Sequence, residues 1–259
     1  MILVKLGGSI ITEKASYRRY RSATTRRLCR EMATSGEDMV LVHGAGSYGH
    51  VIAKEFRLNE GKLGDWQIPG LVRCLGDVRD LDQRVCADLQ AKGLRPFPIP
   101  PSACVTMRSG HLDMMDLGLF RRALDLGLTP VTYGDMALDS ELGFSVCSGD
   151  ELMLRLAQNF EFNRIIFCAD VDGVCTADPM LDPTAKLIPE IDEKTLATLP
   201  RTSRSADVTG SIYGKIEFML RMSSLTEECV VVNGLKQGRL LKAMRGEKVI
   251  SSRVRREDR

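Results

Sequence analysis

Lysines beside paired glycines, a carboxylate at a helix start and a histidine closing a glycine-rich run are the residues of this chain suited to chemistry. That chemistry is the handling of phosphate. Lys5-Leu-Gly-Gly-Ser9 sets an ammonium beside Gly7 and Gly8, two residues without side chains, so backbone N–H groups can approach an anion closely. His43-Gly-Ala-Gly-Ser-Tyr-Gly-His50 places Gly44, Gly46 and Gly49 within six residues, and the stretch that follows reads as the start of a helix. A helix N-terminus attracts phosphate through its free N–H groups and its dipole. His50 at that position can donate a hydrogen bond to such an anion. Neither stretch is a P-loop, because G-x-x-x-x-G-K-[ST] is absent, and neither is a G-x-G-x-x-G dinucleotide fingerprint. Taken alone, a glycine pair after a strand is ordinarily a turn, and a histidine in such a place is ordinarily a cap or a packing residue.

Three further stretches have the same character. Ser148-Gly-Asp150 precedes a predicted helix, where the plain reading of Asp150 is an N-cap. Asp170-Val-Asp-Gly-Val-Cys-Thr-Ala-Asp-Pro179 is polar and turn-rich after an apolar run, and suits a loop touching a nucleotide. Asp207-Val-Thr-Gly-Ser-Ile-Tyr-Gly-Lys215 brings Gly214 and Lys215 to a predicted helix start, another candidate anion site. Each is weak by itself. Two lysines, one aspartate and three glycine loops at neighbouring strand ends are a poor fit to chance. His43, at a strand end, reads as buried structure, and His111, in a hairpin, has no evident role.

The elements that must position these residues follow from periodicity. Short β-rich apolar runs at 2–6, 39–43, 164–168 and 229–232 predict buried strands, three of them closed by glycine or by a polar turn. Helices are predicted over 18–30, 71–92, 116–126, 151–160, 214–222 and 236–244. The longest has Leu71, Leu75, Val78, Leu81, Val85 and Leu89 at steps of three or four. Turns at Ser109-Gly110 and around 140–143 predict two hairpins. Strands alternating with helices indicate an α/β fold: a three-layer αβα sandwich with a largely parallel open sheet, to which the hairpins add antiparallel pieces. No linker divides residues 1–259, so a single domain is expected. Ligands of such sheets bind outside the carboxyl ends of the strands, where the turns after Leu6, His43 and Ala169 converge.

Composition narrows the partners. Hydrophobic residues at 44% and charged residues at 27% are ordinary globular usage and exclude a disordered or collagen-like chain. Thirty-six basic against 34 acidic residues give no electrostatic case for a nucleic-acid binder. No run approaches the roughly 18–20 apolar residues of a membrane span, and Met1-Ile-Leu-Val-Lys5 is no secretory leader, so a cytoplasmic protein is expected. The eight cysteines form no C-x-x-C pair and lie apart from the three histidines, which argues against zinc and for buried thiols in a reducing compartment.

In order and across nearly the whole chain, Lys5-Leu-Gly-Gly-Ser9, the second glycine loop, Ser148-Gly-Asp150, Asp170-Val-Asp-Gly-Val174 and Asp207-Val-Thr-Gly210 through Lys215 resemble the amino acid kinase superfamily. Within it, the loop ending in His50 together with the Asp-Val-Thr-Gly stretch is most similar to archaeal-type isopentenyl phosphate kinases. Acetylglutamate, glutamate and aspartate kinases share the first loop but lack the histidine. Fosfomycin kinases keep it and are the nearest rivals, while uridylate kinases differ at the second loop.

The resemblance implies ATP-dependent phosphorylation of isopentenyl phosphate in isoprenoid biosynthesis, with Mg²⁺ accompanying ATP and no metal ligand assigned on the protein. It implies that Lys5 and Lys215 contact the transferring phosphoryl group from two sides, that Asp150 holds both ammonium groups, and that Lys14 is a further lysine near the phosphates. ATP contacts would come from Gly7, Gly8, Ser9, Asp170, Asp172, Gly173, Thr176, Asp178, Thr209, Gly210 and Gly214 besides the lysines. Gly44, Ala45, Gly46, Gly49, His50, Ser148 and Gly149 would seat the acceptor. The acceptor part would span roughly 1–145 and the nucleotide part 146–259, in a homodimer. An isopentenyl tail needs an apolar slot, for which Leu71 through Val78 and Val85, with Ile99 and Met107, are candidates alongside their reading as plain core. The stretch from Asn59 to Pro69 departs from the family pattern. From another class, a regulator that senses a nucleotide without transferring phosphate is disfavoured by the presence of Lys5, Asp150 and Lys215 together.

Overall fold

The apolar runs at 2–6, 39–43, 164–169 and 228–233 lie side by side as the centre of one sheet, in a computed structural model that describes residues 1–177, 182, 184–198 and 212–255. In chain order, β1 (Ile2–Leu6) leads through the short α1 (Gly8–Ile11) to α2 (Ser22–Ser35), β2 (Met39–His43) and α3 (Gly46–Glu55). Two single 3₁₀ turns precede the long α4 (Ile68–Gln90), then β3 (Pro96–Pro98), α5 (Pro101–Cys104), the hairpin β4 (Val105–Arg108) and β5 (His111–Met115), and α6 (Leu117–Asp125). A central strand β6 (Thr129–Tyr133) precedes a second hairpin of β7 (Asp135–Asp139) and β8 (Gly143–Cys147). The remainder is α7 (Gly149–Ala157), β9 (Arg164–Ala169), β10 (Glu190–Ile191), α8 (Glu193–Thr198), α9 (Ile212–Ser223), β11 (Glu228–Asn233), α10 (Arg239–Met244) and β12 (Ser251–Val254).

The eight-stranded sheet runs β10-β12-β11-β9-β1-β2-β6-β3, parallel throughout except where β12 pairs antiparallel with β11. Both sheet faces are covered, as continuous apolar strands require. On one face Leu28 and Met32 of α2, Leu81 and Val85 of α4 and Leu240 of α10 pack on Val4, Leu41 and Val230. On the other, Leu152 and Leu156 of α7 and Ile216 and Met219 of α9 pack on Leu3, Val40 and Ile165. This is the expected three-layer α/β arrangement. The two hairpins join as a separate four-stranded sheet, β5-β4-β7-β8. Asp139 ties their turns together, accepting from the amides of Ser109, Gly110, Glu141 and Leu142 and from the Ser145 hydroxyl at 2.8–3.1 Å. Burial would raise its pKa, but those donors hold its carboxyl well below the usual carboxylate range.

The long helix and the two hairpins lie where periodicity and turn residues predict them. The region before α4, which has no periodicity, is organised by one side chain. Gln67 is fully buried, accepts from the Leu63 and Gly64 amides and donates to the carbonyls of Phe56, Arg57 and Gly61. None of the eight cysteines forms a disulfide, and Cys29, Cys74, Cys147, Cys168 and Cys229 are buried. Among the described residues no helix is long and apolar enough to cross a membrane.

Candidate active site

Register places Lys5 near the carboxyl edge of the sheet, flanked by Val42 of β2 and Phe167 of β9. Its ammonium meets the Asp150 carboxylate at 2.5 Å, 145 positions on in sequence, with the two side chains only 12% and 5% exposed. Asp150 is available for this pair because Ser148 caps α7 instead, its hydroxyl accepting from the Glu151 amide at 3.2 Å. Gly149 lets the helix start press against the lysine: a Cβ there would lie 3.3 Å from Lys5 Cε. A pair so withdrawn from water holds its geometry, because separating the charges leaves one of them buried and uncompensated.

Beside it the two glycine turns touch backbone to backbone. A Cβ on Gly8 would fall 2.6 Å from the N and Cα of Gly46, and Gly46 itself has φ +51°. Thr12 pins the seam, its hydroxyl donating to the Gly8 carbonyl at 2.7 Å and accepting from the Ser47 amide at 3.0 Å. The starts of α1 and α3 are thereby fixed next to each other, the arrangement an anion seat needs. The hydroxyl of Ser47 is buried there with no hydrogen-bond partner in the protein.

A cavity of about 500 Å³ opens at this edge. Lys5, Lys215 and Asp150 line it together, as do Lys14 and His50. Gly7, Gly8 and Ser9 from the first turn, Gly44, Ala45, Gly46 and Gly49 from the second, and Ser148 and Gly149 from the third all reach it. Lys14 lies 3.3 Å from Asp170, which also lines the cavity, as does Gly173. The apolar wall comes from Ala53 of α3, Cys74 and Val78 of α4, Met136 of β7 and Val146 of β8. Burial pushes the Cys74 thiol up to about 12, so it serves as a small hydrophobe and not as a nucleophile.

Several sequence expectations change. Asp172 is turned out of the cavity, where Asn233 Nδ2 and Arg239 Nη1 hold its carboxylate at 2.8 and 2.7 Å and lower its pKa. Thr176 also lies off the cavity wall, its hydroxyl accepting from the Lys186 amide at 3.0 Å. Of the slot candidates, Cys74 and Val78, both within the stretch from Leu71 through Val78, line the cavity. Val85 is seven residues further along α4, about 10 Å away by helix rise, and packs under the central sheet, while Ile99 and Met107 belong to the core on its other face. Leu71 packs against the cluster of Ile52, Val78 and Phe144. Gly214 lies on α9 immediately before Lys215, and Asp178, Thr209 and Gly210 fall outside the described residues. His43 is buried structure as read, its Nε2 3.2 Å from Asp82 and its ring stacked on Tyr133. Sequence reading missed Asp135, a cavity residue whose carboxylate is buried with neither oxygen hydrogen-bonded. A buried carboxylate two residues after the end of a strand has no signature distinguishing it from a turn aspartate.

A parallel sheet with Lys5, Lys14 and Lys215 gathered beside two glycine turns at one cavity is an arrangement suited to a small-molecule kinase. Residues 1–233 match the amino acid kinase family, and the chain belongs to it. It is 35% identical to the isopentenyl phosphate kinase of Methanothermobacter thermautotrophicus over 98% of both chains. It is 34% identical to that of Thermoplasma acidophilum, over 90% of this chain and 92% of that one. A crystal structure of an isopentenyl phosphate kinase superposes with a TM-score of 0.86 at 32% identity, covering 98% of this chain and 99% of the other.

Proposed function

We propose that the chain transfers the γ-phosphoryl group of ATP to isopentenyl phosphate, giving isopentenyl diphosphate and ADP. The observation that carries this reading is a single cavity with lysines and a histidine on one part of its wall and Cys74, Val78, Met136 and Val146 on another. A charged head and a short branched tail match that division. Likeness to isopentenyl phosphate kinases over the full chain supports it.

An oxygen of the acceptor phosphate attacks the γ-phosphorus, and the bond from that phosphorus to ADP breaks. The acceptor is a monoester largely ionised at neutral pH, with a second pKa near about 6, so no general base is required. The work of the protein is alignment and charge neutralisation. Lys5, held by Asp150, and Lys215 offset the charge spreading over the transferring oxygens. His50 and the turn of Gly44 through Gly49 fix the anionic end of the acceptor. Among the described residues no group of three or more His, Cys, Asp or Glu side chains is placed to hold a metal ion. Mg²⁺ would in this reading be carried on the nucleotide phosphates, where it would supply charge neutralisation. In this reading residues 1–145 chiefly seat the acceptor and 146–259 the nucleotide, and the protein works as a cytoplasmic homodimer like the family it resembles.

The test is ADP release, with products identified by phosphorus NMR, across isopentenyl phosphate, dimethylallyl phosphate, fosfomycin, glutamate and uridylate. Isopentenyl phosphate is expected to give the highest kcat/KM. Preferred turnover of fosfomycin would replace this reading with the resistance kinase. ATP binding without transfer to any acceptor would replace it with a sensor.

A further inference from the structure

Residues 12–21, between α1 and α2, close on themselves through a bridge from Thr12 to Tyr20 and carry Lys14 to the cavity wall. The outer end of this excursion is fastened to α4. The Tyr17 hydroxyl donates to the Asp77 carboxylate. Arg18 reaches two carboxylates at once, Nη1 lying 2.9 Å from Asp77 and Nη2 2.6 Å from Asp80. Arg73 donates from Nε to the Tyr17 hydroxyl at 3.0 Å and stacks 4.8 Å from the centre of its ring. Arg18 also lies over the ring of Tyr48 on α3, 5.6 Å from its centre.

Two features set this apart from ordinary surface pairing. Asp77 is only 7% exposed, so losing its partners leaves a carboxylate with little access to water. Arg18 has φ +54°, a left-handed conformation that a non-glycine residue adopts at a cost, and the guanidinium it delivers spans both acids. Asp77 also sits between Cys74 and Val78, the two α4 residues that wall the cavity.

We infer that Tyr17, Arg18 and Asp77 form a positioning clamp that fixes Lys14 at the cavity through the same helix turn that walls the acceptor. The clamp rests on the kinase reading and on Lys14 acting at the phosphates. It makes the placement of that lysine depend on α4, so the acceptor and phosphoryl sides of the site are joined through one element.

A double-mutant cycle between Arg18→Ala and Lys14→Ala, read as kcat and both KM values with isopentenyl phosphate and ATP, tests the clamp; thermal melting checks the fold of each variant. Arg18→Ala is expected to lower kcat about tenfold with acceptor KM within about twofold, because misplacing one charged group costs transition-state stabilisation. In the Lys14→Ala background the same change should have no further effect on kcat. Tyr17→Phe, which removes one hydroxyl and keeps the ring, should repeat the pattern more weakly and carries the cycle should Arg18→Ala not fold. An equal fold-loss from Arg18→Ala in both backgrounds, or none in either while Lys14→Ala is impaired, overturns the clamp. Wild-type kcat for Lys14→Ala removes the role given to that lysine and the clamp with it, while leaving the kinase reading standing. Failure of the wild-type protein to turn over any phosphate acceptor is the separate failure of that reading.

Discussion

Lys5 does two jobs that mutation can separate. Its ammonium faces the cavity and also compensates Asp150, whose side chain is 5% exposed. Lys5→Ala is expected to abolish turnover and to lower stability by about 3 kcal/mol, because the carboxylate loses its bonded cation. Adding Asp150→Ala should recover most of the stability and none of the activity, as read by urea midpoints beside steady-state rates. His50 serves a single purpose in the proposed reaction. His50→Ala should raise acceptor KM at least about tenfold and leave the KM for ATP within about twofold, the loss expected for one charge-assisted hydrogen bond. An unchanged acceptor KM would take His50 out of the seat. At this scale the sequence was informative wherever glycine or lysine marked a turn. It was silent where geometry decides direction: Asp170 and Asp172 stand two apart, yet one meets Lys14 and the other Arg239, because the chain bends between them.

Glycines show how the elements constrain the site. At Gly46 a Cβ would lie 2.1 Å from Thr12 Oγ1 and 2.9 Å from the Gly8 carbonyl, in a backbone already at positive φ. Gly46→Ala should therefore cost at least about 2 kcal/mol, a fall in Tm of roughly 4–8 °C for a chain of this size. Gly76, in the middle of α4 with nothing within 4 Å of its added Cβ, gives the opposite sign. Gly76→Ala should stabilise by about 0.5–1 kcal/mol through helix propensity. Melting curves of both variants check the pair. Long elements were legible because many residues vote on one period: α4 repeats its apolar stripe over six turns. Short ones were not. The four residues of α1 carry no period, and β3 is Pro-Phe-Pro, a composition that reads as punctuation and is tolerated here because the strand lies at the sheet edge. The acceptor wall was only partly legible for the same reason. Val78 was found from the helix stripe, whereas Met136 and Val146 reach the cavity from a hairpin whose docking no local pattern encodes.

Across the whole molecule, Asp135 stands where the central sheet hands over to the four-stranded one, two residues after β6 ends. Burial pushes its carboxyl up to about 6, and the nearby Met136 amide, Ser102 and Arg79 offset only part of that cost. The folded chain keeps this proton until about pH 6, whereas an unfolded carboxyl loses it near 4. Folded protein thus binds more protons between those values, and stability falls as pH rises through that window, by about 3 kcal/mol once it is crossed. Asp135→Asn should be more stable than the wild type at pH 8, with the gap closing as pH falls towards 4, as read by denaturant midpoints across pH. A constant gap would mean that the carboxyl is already ionised throughout.

The contact between Lys14 and Asp170 differs in kind from the buried pair behind it, since its side chains are 68% and 37% exposed. It joins the excursion anchored on α4 to the loop following β9. An exposed pair of this kind contributes little and weakens as salt is added, whereas the Lys5–Asp150 pair, withdrawn from water, is screened far less. Added salt should therefore loosen the outer link and leave the inner one in place.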